Sequence, residues 1–151
     1  MDERSSMKLH ELGVASDGFI ARQLNDENVN GYDLILALTD EHRSSIVAMS
    51  PRLLKRTYTV REFAAVLDGL AAMPEGTLPR GSDTTTVETR WAAVLKNAQL
   101  VRHAARTRLA GNLDVVDPYR QSDSVYDRMV GELLPALRSI VNFESFHATG
   151  K

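Results

Sequence analysis

Residues 32–39 read YDLILALT, and five of the eight are Leu, Ile or Ala in one unbroken run. A short apolar run without alternation suits a strand buried on both faces, as in a parallel sheet. The chain then turns polar at once. Thr39 or Asp40 can cap a helix that carries Ile46, Val47 and Met49 inward and that Pro51 ends. A second candidate strand, RTYTV at 56–60, is short and β-branched. Thr59 and Glu62 follow in capping-box spacing, and Phe63, Val66, Leu67 and Leu70 recur at i, i+3, i+4 and i+7. Strands that alternate with helices predict the α/β class with parallel pairing.

Outward from this unit the chain reads as helices and loops. Asp2 can cap a helix to about Leu12, with Gly13 in the C′ position and Val14 folding back. Residues 16–31 are polar and loop-like, as is PEGTLPRGSDTTT at 74–86. Thr85 and Glu88 have capping-box spacing, and the helix they open runs to about Ala110 with Trp91, Val94, Leu95, Ala98, Val101 and Ala105 on one side. The last helix, about Ser124 to Val141, carries two apolar rows: Val125, Met129, Leu133 and Ile140, and beside them Tyr126, Val130, Leu134, Leu137 and Val141. Two adjacent rows predict deep burial, and Pro135 predicts a bend. Only two strands are clear. A two-stranded parallel sheet is a poor core, because a strand such as 32–39 wants neighbours on both edges.

The 151 residues make one domain by length, with 43% apolar and 25% charged residues. A net charge of −2 gives no global attraction to nucleic acid or anionic lipid. No run approaches the roughly 20 apolar residues that span a bilayer, and MDERSSMKLHELG lacks the apolar core of a signal peptide. Cytoplasm is the expected location. The absence of cysteine excludes disulfides, thiolate metal sites and cysteine nucleophiles within these residues. His10, His42, His103 and His147 show no metal spacing, so no metal and no cofactor are expected. GTLPRGSD at 76–83 imitates the glycine spacing of a phosphate loop, yet Ser82 stands where the lysine belongs and a helix precedes it.

The residues that invite a chemical reading are Leu113 to Asp127, LDVVDPYRQSDSVYD. Pro118 biases Asp117 toward an extended backbone, so its carboxylate projects from a fixed corner. Tyr119 adds a flat wall with a polar tip. An acid held beside such a wall is a candidate proton donor to a leaving group. Asp-Pro-Tyr is also an ordinary turn.

The order of the pieces resembles the low-molecular-weight protein tyrosine phosphatases, a family that includes an arsenate reductase branch. DERSSMKLHELGV is similar to the family's Asp-Pro-Arg helix ending in Gly and an aliphatic residue, with Glu3 in place of Pro. ARQL at 21–24, YDLILALTDEHR at 32–43, TYTVREFAAVL and DVVDPYRQSDSVYDRM resemble successive family segments in the right order. The resemblance implies a three-layer, Rossmann-like phosphotyrosine phosphatase fold, and hydrolysis of a phosphotyrosine protein or a small aryl phosphate. It assigns Asp117 as general acid and Tyr119 to the mouth of the substrate pocket.

The family's nucleophile and phosphate cradle come from a Cys-x5-Arg loop near its N-terminus, and these residues contain no match to it. The resemblance therefore implies an incomplete fold, with a short sheet missing the family's first two strands, a truncated or misassigned start, and a helical insertion at about 74–112. Phe19 stands where the family often has a histidine near the phosphate loop. The chain is expected to be inactive alone. One alternative is a pseudophosphatase module that self-associates, or pairs with another chain, through the edge of 32–39. Another is nucleic-acid binding through Arg90, Lys96, Arg102, His103, Arg106 and Arg108 on the helix 87–110, although a solvated face explains the same residues and the slightly acidic chain disfavours such a partner.

Overall fold

A computed structural model describes residues 3–79 and 86–149. The first helix, α1 (Glu3–Glu11), ends as expected: Gly13 has φ +72°, and the Val14 amide donates back to Leu9 O at 2.8 Å. The stretch after it is not all loop. Asp26–Val29 forms a one-turn helix, α2, because Asn25 and Asn28 exchange reciprocal cap bonds of 3.0 and 3.1 Å. An Asn at both cap positions replaces the Ser/Thr-x-x-Glu pattern that signals such a start in sequence. The turn buries Val29 completely.

Strands β1 (Ile35–Ala37) and β2 (Thr57–Thr59) pair in parallel, with Ile35 opposite Thr57. The run at 32–39 is thus strand only at its centre. Thr39 caps α3 (Asp40–Met49) by accepting the His42 amide at 3.1 Å. Ile46 of α3 is buried, whereas Met49 is exposed, against expectation. Three residues of strand span about 10 Å and cannot cover a ten-residue helix of about 15 Å. Pro51 then opens a single 3-10 turn, Pro51–Leu53, which buries Leu53.

The core is helical. In α4 (Val60–Ala71), Phe63, Val66, Leu67 and Leu70 are buried, as their spacing requires, and Thr59 and Glu62 make both bonds of the capping box. Helix α5 (Val87–Leu109) buries Val94, Ala98 and Ala105 in the same cluster, with Trp91, Leu95 and Val101 packed at its edge. Its cap is Thr86, which accepts the Thr89 amide at 3.3 Å. The Thr85 of the expected capping box lies outside the described residues, as does Ser82.

Helix α6 (Asp123–Thr149) runs past the expected end, since no Gly or Pro follows Val141 until Gly150. Its extension buries Phe143 and His147, whose rings stack at 4.1 Å between centroids. Only one apolar row of α6 is well covered. Met129, Leu133 and Ile140 pack with Val60, Ala64, Val115 and Ala136. In the other row Tyr126 is buried, but Leu137 is 40% and Val141 61% exposed. Deep burial of both rows does not occur, because α1 covers only part of that side. A groove of about 520 Å³ remains between the two helices, lined by Leu9, Leu12, Val14, Val130, Leu134 and Leu137. No described helix is long and apolar enough to cross a membrane.

Candidate functional site: the Asp117 corner and the charge cluster beside it

In open α/β folds ligands bind beyond the carboxyl ends of the strands. The chain brings its charged residues to that end. Residues 113–117 return from α5 and cross there. The Val115 amide donates to Leu38 O at 2.8 Å, one residue beyond β1. Asp114 Oδ1 accepts the Asp40 amide at 2.7 Å, on the first residue of α3. Arg61, in the first turn of α4, donates to Asp114 O at 2.9 Å and to Asn112 Oδ1 at 2.8 Å. From α6, Glu132 Oε2 accepts the Val116 amide at 2.8 Å.

Asp117 follows at once. It is exposed, and its Oδ1 accepts the Tyr119 amide at 2.9 Å. The Gln121 amide closes on Pro118 O at 2.9 Å, with Arg120 in the left-handed region at φ +60°. A non-glycine residue there stores a small strain, a common property of tight functional corners. The Tyr119 ring is 57% exposed, and the Arg120 guanidinium lies 5.1 Å from its centroid. Asp117 and Tyr119 are thus neighbours joined through the main chain. One carboxylate oxygen is engaged locally, and the side chain faces solvent, where it can exchange a proton with a bound group.

Joined to this segment through Asp40, which meets both Asp114 and Arg106, lies a cluster that sequence reasoning did not foresee. Glu62 is completely buried. Its carboxylate takes Arg102 Nε at 2.7 Å and Arg106 Nη1 at 3.2 Å, with Arg43 Nε at 3.8 Å. Arg102 also donates to Leu54 O and Thr57 O and lies 4.2 Å from the centroid of the Tyr58 ring. Arg106 reaches Asp40 at 3.4 Å. Burial first, and then the nearby Arg102 charge, pushes the Arg43 guanidinium below its ordinary value. The capping-box spacing placed Glu62 at a helix start. Nothing local could reveal that its outer oxygens meet arginines about forty residues away.

The same contacts correct the expected solvated face of α5. Arg102 is 11% exposed, Arg90 pairs with Glu144 of α6, and Arg108 donates to Ala65 O at 3.0 Å. Arg90 and Arg102 turn inward because α4 and α6 offer acceptors there, whereas Arg108 stays exposed while it bonds Ala65 O. Lys96 and His103 stay exposed. Among the described residues no three potential metal ligands converge.

No curated protein and no solved structure matches the chain. The model of the family described as low molecular weight phosphotyrosine protein phosphatase matches residues 1–75, from α1 through α4 and up to the loop that follows. The matched half contains the β1–α3–β2–α4 unit on which the corner rests, and it ends before Asp117. Residues 1–75 belong to the low molecular weight phosphotyrosine protein phosphatase family, and the helix-rich α/β architecture with its short parallel sheet is consistent with that fold.

Proposed function

We propose that the chain carries the proton-donating side of a phosphate monoester hydrolase, with phosphotyrosine protein or a small aryl phosphate as substrate class. Asp117 protonates the departing phenolic oxygen and then takes a proton from the attacking water, and Tyr119 flanks the substrate ring. The observation that supports this reading is the corner itself. An exposed carboxylate on a multiply anchored turn stands at the carboxyl end of β1, in a chain whose residues 1–75 belong to a phosphatase family.

The 151 residues include no cysteine, so on this reading they supply the acid and not the thiolate, and alone they do not turn over aryl phosphates. The test is hydrolysis of para-nitrophenyl phosphate by the purified chain at neutral pH. No turnover above the buffer rate is expected. Turnover that survives purification and is lost in Asp117→Ala would show a nucleophile among these residues and sink the reading of inactivity.

A second reading, a non-catalytic interaction module, draws on the side of β1 away from β2. Ile35 and Ala37 direct their main-chain groups at β2, so Leu36 directs its own at the opposite edge, and Leu36 and Leu38 are exposed. Another strand, from a second copy or another chain, would pair there. A concentration-independent monomer in sedimentation, with slow amide exchange at Leu36, would count against it. Nucleic-acid binding through α5 has less support, because Arg90, Arg102, Arg106 and Arg108 donate within the chain.

A further inference from the structure

We propose that Glu132, on the middle of α6, is the positioning residue of the Asp117 corner: its carboxylate holds the Val116 amide and thereby sets where the neighbouring Asp117 side chain is presented. The proposal rests on the reading of Asp117 as proton donor, but it concerns the geometry of the corner.

The anchors of this segment come in sequence order. Asp114 is tied to α3 and α4, Val115 to the end of β1, and Val116 to Glu132. Beyond Val116 the bonds of the corner are internal, Tyr119 to Asp117 and Gln121 to Pro118, until Arg4 of α1 reaches Gln121 O. Glu132 is therefore the last tie to the packed helices before Asp117. Pro118 fixes the next backbone angle, so little freedom remains between the two carboxylates.

Glu132 is itself held. Arg128 Nε donates to its other oxygen at 2.7 Å, so both carboxylate oxygens are engaged and the plane of the group is set. The charged groups facing it are Arg128 of its own helix and Arg61 of α4, and both favour the ionised form. The Val116 amide first, and Arg128 next, hold the Glu132 carboxyl below its usual range. An ordinary i,i+4 surface pair with Arg128 would account for half of this geometry but not for the bond to Val116.

The experiment is amide NMR on the whole chain. In the unmutated chain the Val116 amide should be protected and should shift with pH as Glu132 titrates. Positioning requires that the Tyr119 amide register that same step, both in the unmutated chain and in Asp117→Asn, where the local carboxylate is gone. Glu132→Ala should speed Val116 exchange about tenfold, the scale of losing one charge-assisted bond, and move the Tyr119 amide, with core amides such as Phe63 unchanged. Glu132→Gln, which keeps an acceptor oxygen, should restore most of the protection. If Glu132→Ala unfolds the chain, the titrations with Glu132 in place decide. A Tyr119 amide that does not follow the Val116 step in Asp117→Asn, or a Glu132→Gln that behaves like Glu132→Ala in an intact core, would overturn the proposal. Neither result depends on phosphatase turnover. The role of Asp117 could fail in the aryl phosphate assay while the tie stands, and the reverse.

Discussion

The two rows of α6 are alike in sequence and unlike in the folded chain. One row meets α4 and the residues before the corner, and Met129, Leu133 and Ile140 pack there against Val60, Ala64 and Val115. The other meets α1, none of whose nine residues is buried, and Val141 is left in solvent. Apolar periodicity states that a face can be buried. Whether it is buried depends on what the rest of the chain brings to it. The side of α4, α5 and the inner row of α6 holds Tyr58, Phe63, Trp91 and Phe143 in one aromatic chain with centroid spacings of 5.2–6.3 Å. The α1 side is held mainly by charges at the surface: Lys8 to Asp127 at 2.8 Å and Arg4 to Asp123 at 3.3 Å.

This contrast can be broken by mutation. The largest effect is expected from Phe63→Ala, at about 3–5 kcal/mol of stability in urea unfolding, against a change within about 0.5 kcal/mol for Val141→Ala. Equal costs would mean that the outer row is covered in solution. Glu62→Ala should cost about 3 kcal/mol, because it leaves Arg102 and Arg106 without their buried partner. A cost under 1 kcal/mol would show that water enters the cluster. Thr59→Ala removes the cap of α4 and should cost about 1 kcal/mol, seen as a lower Tm with unchanged helix content.

Smaller effects sharpen the comparison. Because the Glu132 pKa is lowered on folding, its contribution is present above its ordinary value of 4.5 and is lost as pH falls through the lower folded value. The Tm difference between the unmutated chain and Glu132→Ala should therefore be steady near pH 6 and shrink in acid; a difference that grows in acid would contradict the assignment. The smallest change is expected for Lys8→Ala. Its charge is stabilised by Asp127 and then Glu11, yet the pair is exposed, so the effect should be slight and should vanish in high salt.

Much of this protein is legible along the chain. The unbroken run 32–39, the Thr59–Glu62 box and the i, i+3, i+4, i+7 spacing of Phe63 to Leu70 are local signals, and backbone hydrogen bonding and side-chain periodicity act over a few residues. The Asp117–Pro118 corner is legible for the same reason, since proline restricts the residue before it. What the tertiary structure alone decided is long-range. The exposure of Leu137, the burial of Glu62 among Arg43, Arg102 and Arg106, and the hold of Glu132 on Val116 each depend on which surfaces meet. A carboxylate's partners are set by distance in space, and no spacing of residues along the chain encodes that distance.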